Sequence, residues 1–318
     1  MNPAALPWLP SYGCLDFARR DNYVLNMFRG TFTALVTPFR NGGIDGSAFE
    51  KLIAHQIAAG ITGIVAIGTT GESPTLSHDE REQLIRLSVA TANKRCVVIA
   101  GTGSNATEHT IDHTKIAEKL GVDGVLLVAP YYNKPSQEGL FRHFKAVADS
   151  TSLPIILYNI PGRCSVDILP DTVVRLANEC RNIVSIKEAS GSVDRVSELH
   201  RRLPESFTIL SGDDSLTLPF MSVGAVGVVS VASNLFPSEL CALVRAAESG
   251  DLKSATALHQ KLLPVFKDLF IEPNPVPVKM ALGWRGAMSG AVRLPLCEMT
   301  EPNQARLRKT LQEFEEGK

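Results

Sequence analysis

A lysine at the end of an apolar stretch is the residue of this sequence that points most directly to chemistry. Lys187 closes the run Ile183-Val184-Ser185-Ile186-Lys187. Burial in a medium of low dielectric constant disfavours a charged ammonium group, so it lowers the pKa of a lysine and leaves a nucleophilic amine. Such an amine attacks carbonyl groups and forms a Schiff base. The same placement also fits a lysine held by a carboxylate, or one whose amine extends to solvent, so the residue alone leaves these alternatives open.

Three other patterns could carry chemistry, and each has a simpler interpretation. Residues 101–106, Gly-Thr-Gly-Ser-Asn-Ala, match a loose dinucleotide-binding pattern, but Ala129-Pro130 stand where an acid should end the next strand. His109 and His113 have the spacing of two metal ligands on a helix, yet no third ligand is evident. Asp213-Asp214 fit a helix N-cap better than an acid–base pair, because adjacent side chains diverge. We therefore expect no metal ion and no nucleotide cofactor.

Composition limits the kinds of protein that this sequence can encode. The chain has 318 residues, of which 44% are hydrophobic and 20% charged, enough to bury the core of one large domain or two ordinary ones. A net charge of −1 and an isoelectric point near 6.7 provide no basic surface for nucleic acid. No apolar run approaches the ~18 residues that span a membrane. The six cysteines lack metal or disulfide spacing, which favours a cytoplasmic protein.

Residues 1–26 differ from the rest of the chain. They contain prolines and acidic residues but no continuous apolar core, so they fit neither a secretory signal nor a transit peptide. We expect a disordered extension, with Met27 as the natural start of the protein. The intact mass of protein purified from its own source tests this expectation, and a full-length mass would exclude it.

The remaining sequence alternates short apolar runs with amphipathic stretches. Eight runs are rich in Val, Ile and Leu, as expected for parallel strands covered on both faces. They span residues 32–36, 63–67, 97–100, 125–128, 155–158, 183–187, 207–210 and 227–231. The intervals leave room for a helix after each strand. Ser47 with Glu50, and Ser77 with Glu80, have capping-box spacing and mark two helix starts.

Eight strand–helix units predict a (β/α)8 barrel, also called a TIM barrel, over residues 27–236. Residues 237–318 would form a C-terminal helical region. A doubly wound open sheet is the alternative. We prefer the barrel because the count is eight and because polar or glycine-rich residues follow nearly every run, where barrel enzymes place their active sites. The residues at these ends, from Thr69-Thr70 to Lys187, would share one rim.

Six motifs give the sequence a specific resemblance. They are GTTGES at 68–73, PYYNKPSQEGL at 130–140, LYNIPGR at 157–163, IKEASG at 186–191, SGDD at 211–214 and EPNPVPVK at 272–279. In combination they resemble the dihydrodipicolinate synthase family, one of the pyruvate-dependent class I aldolases typified by N-acetylneuraminate lyase. The likeness extends from about residue 28 to near the C-terminus. It implies a TIM barrel with a C-terminal helical region, assembled as a homotetramer that is a dimer of dimers.

The resemblance implies a Schiff-base mechanism with four catalytic residues. Lys187 would condense with pyruvate, and the protonated imine would let the methyl group lose a proton and become a nucleophilic enamine. Tyr158 would shuttle protons, and Thr69 matches the relay hydroxyl that a phenol with a pKa of about 10 needs near neutral pH. Tyr132 would complete the relay from a neighbouring subunit. By residue type alone, Tyr132 could equally be an aromatic packing residue.

The same resemblance assigns four residues to substrate binding. Thr70 would hold the pyruvate carboxylate together with the backbone N–H groups of its turn. Arg163 matches the arginine that binds the second substrate, L-aspartate 4-semialdehyde, and sugar-acid aldolases of the superfamily lack an arginine there. Gly212 and Val229 match backbone positions near the pyruvate. Cys164 replaces the usual threonine beside this arginine, and a reactive thiol there would make activity sensitive to alkylation.

A regulatory site at the subunit interface is only partly matched. Lysine-sensitive relatives bind free lysine there, at positions that match Ser73, Pro74, His78, Arg81, Asn105, His109 and Tyr131. His109 stands where sensitive enzymes carry a glutamate, and the position of Arg81 is often a histidine. Both differences would repel a cationic ligand. We expect weak or absent feedback inhibition, with interface packing and hydrogen bonding as the roles of Ser73, His78, Asn105 and Tyr131.

The sequence therefore predicts an enzyme of lysine and diaminopimelate biosynthesis that condenses pyruvate with L-aspartate 4-semialdehyde without a cofactor. Two alternatives stay open: another pyruvate-dependent aldolase with a different acceptor aldehyde, and a barrel that binds a small acid without catalysis. Lys187, Tyr158, Thr69 and Arg163 together favour the enzyme, because a pure binding protein needs no proton relay.

Overall fold

Eight parallel strands form a closed barrel at the centre of the computed structural model, which describes residues 27–317. The strands are β1 Gly30–Ala34, β2 Gly63–Ala66, β3 Val97–Gly101, β4 Gly124–Val128, β5 Ile155–Asn159, β6 Ile183–Glu188, β7 Thr208–Ser211 and β8 Gly227–Ser230. Each strand pairs with the next one along the chain, and β8 pairs with β1 to close the barrel. The predicted (β/α)8 fold is confirmed, and the open sheet is wrong because no barrel strand is left at an edge.

Burial on both faces explains why these short runs form strands. Along β5, Ile156 and Tyr158 belong to the core cluster inside the barrel, whereas Ile155 and Leu157 belong to the larger cluster between barrel and helices. This alternation is the two-residue period of a strand. Phe32 fills the interior opposite Gly63 in β2, where a Cβ atom would lie 2.7 Å from the phenylalanine ring.

Helices follow the strands and cover the barrel. They are α1 Gly46–Ala58, α2 His78–Ala92, α3 Thr107–Lys119, α4 Gln137–Asp149, α5 Pro161–Cys164, α6 Pro170–Glu179, α7 Val193–Arg202, α8 Thr217–Met221, α9 Pro237–Glu248, α10 Leu252–Asp268, α11 Val276–Trp284 and α12 Glu301–Glu315. The capping box of Ser77 and Glu80 is confirmed at the start of α2. The capping box of Ser47 and Glu50 is wrong, because Asp45 caps α1 by accepting a backbone N–H of the first turn (3.1 Å).

The last four helices build a second core beside the barrel. Helix α9 packs against β1 and β8 and so still covers the barrel, although it begins at the predicted boundary, Pro237. Leu262 of α10 and Leu307 of α12 belong to the separate core cluster of this region. Within the described part of the chain, no helix is long and apolar enough to cross a membrane. The predicted extension, residues 1–26, lies outside the described residues.

Candidate active site

Lys187 and Tyr158 lie side by side at the carboxyl end of the barrel. They are opposite each other in the parallel pairing of β5 with β6, so their side chains share one face of the sheet. The Nζ atom of Lys187 lies 4.1 Å from the centroid of the Tyr158 ring, and the two residues are only 6% and 5% exposed. The strand pairing therefore brings an amine and a phenol together away from bulk water.

Burial lowers the pKa of Lys187 to about 7, because the protein interior disfavours the ammonium form. The carboxylate of Asp214 opposes this shift, and the positive charge of Arg163 adds to it. The amine does not extend to solvent, and within residues 27–317 it forms no ion pair with a carboxylate. Near neutral pH a large share of the amine is therefore in the neutral, nucleophilic form.

Asp214 is a buried acid whose charge acts on Lys187, and sequence reasoning did not identify it. Its Oδ2 atom accepts the backbone N–H groups of Val231 (3.0 Å) and Ala232 (2.9 Å). Burial raises the pKa of Asp214 to about 6. Its neighbour Asp213 caps the short 3-10 turn after β7 by accepting the N–H of Ser215 (2.8 Å), which confirms the N-cap interpretation. Two adjacent carboxylates gave no signal as to which one would be buried.

Thr69 and Arg163 both affect the pKa of the Tyr158 phenol. Burial raises the pKa of Tyr158, while the charge of Arg163 and a side-chain hydrogen bond with Thr69 lower it. Because burial is the largest effect, the phenol stays protonated near neutral pH. Tyr158 can therefore donate a proton, and the Thr69 hydroxyl is in place to pass one on.

A tight turn after β2, residues 68–72, carries both threonines, and we refer to it as the threonine turn. Left-handed backbone occurs at Ile67 (φ 59°), just before the turn, and at Glu72 (φ 55°), its last residue. The N–H of Gly71 donates back across the turn (3.1 Å), and the hydroxyl of Thr37 donates to the Gly71 carbonyl (2.7 Å). These bonds fix the backbone that positions the two hydroxyl groups.

Asn274 links the two residues expected to bind substrate carboxylates, and sequence reasoning missed it. Its Nδ2 atom donates to the hydroxyl oxygen of Thr70 (3.0 Å), and its backbone carbonyl accepts from Nη2 of Arg163 (3.5 Å). Because the Thr70 oxygen accepts this bond, its own proton is free for a ligand. Asn274 is 5% exposed and its Oδ1 atom has no hydrogen-bond partner among the described residues. The motif at 272–279 contains Asn274, but nothing local to that motif indicates a contact with Thr70.

Arg163 lies on the short helix α5, directly after β5, with its side chain exposed. Cys164 beside it is 2% exposed, and burial raises the pKa of its thiol to about 11. A buried thiol that stays protonated reacts slowly with alkylating reagents. The structure therefore argues against a reactive cysteine at this position.

Gly212 and Val229 lie beside the catalytic pair. A Cβ atom at Gly212 would be 3.1 Å from Cε of Lys187 and 2.8 Å from Cβ of Ala189, so a side chain there would crowd the lysine. Val229 is 1% exposed and belongs to the same interior cluster as Tyr158. The absence of a side chain at residue 212 thus leaves room for the lysine.

Tyr132 does not join this cluster within a single chain. Its side chain is 87% exposed, and its backbone is left-handed (φ 74°), which is uncommon for a residue with a side chain. A bulky exposed ring held on such a backbone is typical of a contact with another molecule. The predicted role of Tyr132 in the proton relay therefore requires a second copy of the chain.

Two residues of the predicted regulatory site, Ser73 and Arg81, lie beside the threonine turn. Nη2 of Arg81 donates to the carbonyl of Ser73 (2.7 Å), just after the turn. The ring of His78 packs against His113, with 5.5 Å between ring centroids. Burial and the charge of Arg81 lower the pKa of His113 to about 4, so His113 is neutral at physiological pH. The carbonyl of Asn105 accepts a side-chain hydrogen bond (2.8 Å) from a neighbouring loop.

The glycines of the loose dinucleotide pattern have a packing explanation. A Cβ atom at Gly101 would lie 2.3 Å from the carbonyl oxygen of Ile67, and one at Gly103 would lie 2.4 Å from the backbone nitrogen of Val128. Such close approach of the backbone requires glycine at both positions, and a bound nucleotide is not needed to explain them. In the part of the chain that the structure describes, no cluster of three or more histidine, cysteine or acidic residues could hold a metal ion.

Comparisons with known proteins match nearly the whole described chain. A family model for the "Dihydrodipicolinate synthetase family" matches residues 27–314. The 4-hydroxy-tetrahydrodipicolinate synthase of Endomicrobium trichonymphae is 51% identical over 288 residues, which cover 91% of this chain and 99% of that protein. The solved structure of the corresponding enzyme from Methylacidiphilum fumariolicum SolV is 60% identical with a TM-score of 0.90, covering 91% of this chain and 96% of that one. The dihydrodipicolinate synthase structure from Aquifex aeolicus is 49% identical, with a TM-score of 0.90 and coverage of 91% and 98%.

Proposed function

We infer that this chain, which belongs to the dihydrodipicolinate synthetase family, has 4-hydroxy-tetrahydrodipicolinate synthase activity. It is a lyase of lysine and diaminopimelate biosynthesis, with pyruvate and L-aspartate 4-semialdehyde as substrates. The observation that carries this proposal is the buried amine of Lys187, with its lowered pKa, beside Tyr158 on the barrel rim.

The first half of the reaction forms an enamine from pyruvate. The neutral amine of Lys187 attacks the ketone carbon of pyruvate and forms a carbinolamine. The carbinolamine hydroxyl takes a proton, which Tyr158 is placed to supply, and leaves as water to give the protonated imine. This imine withdraws electrons from the pyruvate methyl group, which loses a proton to the phenolate of Tyr158 and becomes the carbon nucleophile. The Lys187 nitrogen is thus positively charged in the protonated imine and neutral again in the enamine.

The second half joins the enamine to the acceptor. The enamine carbon attacks the aldehyde carbon of L-aspartate 4-semialdehyde, and the new alkoxide takes a proton from the relay. Tyr158 and Thr69 provide that relay within one chain because their side chains are hydrogen-bonded. The amino group of the acceptor, in its neutral form, then displaces Lys187 from the imine carbon, which closes the ring and regenerates the free amine. The ring nitrogen returns its remaining proton to the phenolate of Tyr158.

Two separate groups would bind the two carboxylates. We propose that Thr70, whose proton is left free by Asn274, binds the carboxylate of pyruvate with N–H groups of the threonine turn. Arg163 would bind the carboxylate of the second substrate, since its guanidinium is exposed at the rim. The Asn274 carbonyl that contacts Arg163 links the two binding groups.

We also propose that the active enzyme is a homotetramer, a dimer of dimers, in which Tyr132 reaches a neighbouring site. The exposed ring and left-handed backbone of Tyr132 support this assembly. The family match begins at residue 27, which supports treating residues 1–26 as an extension. The division of the rest into a barrel over 27–236 and a helical region over 237–318 stays our proposal. A cytoplasmic location remains our expectation from the sequence.

Borohydride trapping combined with an activity assay tests the proposed function. Incubation with pyruvate and borohydride should add the mass of reduced pyruvate to the peptide that contains Lys187, because only a covalent imine is trapped by reduction. Lys279 is the matched internal control, since it is equally buried but held by a carboxylate and should stay unmodified. The same protein should consume pyruvate with L-aspartate 4-semialdehyde faster than with sugar-acid aldehydes.

Each alternative function predicts a different result. An adduct at Lys187 combined with faster turnover of a sugar-acid aldehyde would indicate another pyruvate-dependent aldolase. Binding of pyruvate without any adduct at Lys187 would indicate a small-acid-binding barrel without catalysis, and would overturn the proposed mechanism.

A further inference from the structure

Glu72 and Lys279 form an ion pair that is cut off from solvent. Oε1 of Glu72 lies 2.5 Å from Nζ of Lys279, and the two side chains are 1% and 0% exposed. Glu72 is the last residue of the threonine turn, whereas Lys279 lies on α11 in the C-terminal region. A buried ion pair is costly to desolvate, and an apolar pair of similar volume is often as stable. Stability alone therefore does not explain two charges at this position.

Both charges have further partners besides each other. Oε2 of Glu72 accepts the backbone N–H of Arg293 (2.9 Å). Nζ of Lys279 lies over the ring of Phe39, 4.2 Å from its centroid, and the guanidinium of Arg293 lies 4.1 Å from the same centroid. Arg293 is itself held by an ion pair with Glu80 (2.5 Å). Both oxygens of the Glu72 carboxylate are thus used, and both bonds come from the C-terminal region.

The carboxylate of Glu72 is attached to a backbone that shapes the threonine turn. Glu72 has left-handed backbone angles, φ 55° and ψ 39°, and its N–H donates to the carbonyl of Thr69 (3.1 Å). A residue with a side chain holds this conformation only when its surroundings fix it. Because the Thr69 carbonyl belongs to the peptide that enters Thr70, a shift of Glu72 would move the hydroxyl groups of both threonines.

We propose that Glu72 and Lys279 are positioning residues that hold the threonine turn in the shape that binds pyruvate. Neither touches the reacting atoms, and their effect passes through Thr69 and Thr70. This inference rests on the proposed function, in which Thr70 binds the pyruvate carboxylate. It assigns the C-terminal region a role in pyruvate binding that the barrel alone does not provide.

Three variants and one control separate positioning from stability. Lys279→Met removes the ammonium and keeps most of the side-chain volume, Glu72→Gln keeps the shape of the carboxylate, and the double variant removes both charges. The control is Arg306→Met, which breaks an ion pair with Asp268 (2.7 Å) in the same region but away from the turn. For each protein, the Michaelis constants for both substrates, the rate of pyruvate trapping at Lys187 and the melting temperature are measured.

We expect Lys279→Met to raise the Michaelis constant for pyruvate about tenfold. This is the loss of affinity expected when one hydrogen bond to a charged group is removed. The Michaelis constant for L-aspartate 4-semialdehyde should change by less than about twofold, because Arg163 is connected to the turn only indirectly, by its long hydrogen bond (3.5 Å) to the carbonyl of Asn274. Lys279→Met should also lower the melting temperature, since it leaves a buried carboxylate unpaired. The double variant should regain the melting temperature of the unmodified protein but keep the raised Michaelis constant for pyruvate. Arg306→Met should bind pyruvate as the unmodified protein does.

The double variant decides between the two roles. Recovery of both the melting temperature and pyruvate binding would show that the pair matters for stability alone, and would overturn the inference. If the double variant does not fold, Glu72→Gln decides, and unchanged pyruvate binding in that variant overturns the inference in the same way. Failure of the unmodified protein to trap pyruvate at Lys187 would overturn the proposed function itself, and the inference with it.

Discussion

The amine of Lys187 lies over the ring of Tyr158, 4.1 Å from its centroid, at directly paired positions of two neighbouring strands. Burial shifts the pKa values of these two groups in opposite directions: it lowers that of Lys187 to about 7 and raises that of Tyr158. Both groups are therefore uncharged together just above neutral pH. The same buried environment thus keeps Lys187 as a nucleophile and Tyr158 as a proton donor at the same pH.

Imine formation should depend on pH with a midpoint near 7. The neutral amine is the nucleophile, so the rate of pyruvate trapping at Lys187 should rise as the pH increases through 7 and then level off. The initial rate of borohydride-trapped adduct, measured by mass at each pH, reports this midpoint. Asp214→Asn should move the midpoint to lower pH, because the Asp214 carboxylate favours the ammonium form. A rate that continues to rise toward pH 10 would show that Lys187 has an ordinary pKa.

Substitution of Arg163 should separate binding of the second substrate from imine formation. Arg163→Ala should still form the pyruvate adduct at Lys187, but its Michaelis constant for L-aspartate 4-semialdehyde should rise about 10- to 100-fold, because a charge-assisted contact is lost. Steady-state kinetics with each substrate varied in turn measure the two effects. Arg142→Ala is the control, since Arg142 forms an exposed ion pair within helix α4 (2.8 Å). Unchanged kinetics in Arg163→Ala would favour the alternative aldolase.

The barrel and the core of its site could be predicted because their signals are local. Each strand is a short apolar run, and Lys187 and Tyr158 end two consecutive runs, so parallel pairing brings them together. The wrong prediction that Ser47 caps helix α1 has a local cause too. Asp45 lies two residues earlier, and aspartate is as good an N-cap residue as serine. These features require only the sequence within a few residues of each position.

The contacts to the C-terminal region could not be predicted in this way. Asn274 and Thr70 are 204 residues apart, and Lys279 and Glu72 are 207 apart. No periodic pattern relates positions at such separation, and the motif around Asn274 marks the family without indicating what it touches. Burial of Asp214 rather than Asp213 also depends on long-range packing, since the backbone groups that bind Asp214 belong to the two residues that follow β8.

Mixing of two inactive variants should restore activity if Tyr132 serves a neighbouring site. Tyr132→Ala should lose the relay, and Lys187→Ala should lose the nucleophile. In a mixed dimer, the subunit with intact Lys187 receives Tyr132 from its partner, so about a quarter of all sites become complete after equal mixing. The coupled assay after dissociation and reassembly measures this gain. A mixture of Lys187→Ala with Lys187→Met is the control and should stay inactive. If the mixture of Tyr132→Ala with Lys187→Ala also stays inactive, a shared site is excluded.

Free lysine should inhibit this enzyme weakly or not at all. The guanidinium of Arg81 is partly buried and bound to the Ser73 carbonyl (2.7 Å), so a permanent positive charge occupies the site where a cationic ligand would have to bind. His109 is exposed and provides no carboxylate for an amino group. Initial rates at increasing lysine concentration should show half-inhibition only above about 1 mM, which corresponds to a binding free energy weaker than about −4 kcal/mol.

Restoring the charges of a lysine-sensitive enzyme tests the physical reason for this prediction. Arg81→His combined with His109→Glu removes one permanent positive charge and adds a carboxylate at the interface, so it should lower the lysine concentration for half-inhibition about tenfold or more. The basal rate should change little, because neither residue contacts Lys187 or Tyr158. Half-inhibition of the unmodified enzyme at sub-millimolar lysine would contradict the prediction, and would show that another residue at the interface supplies the missing acid.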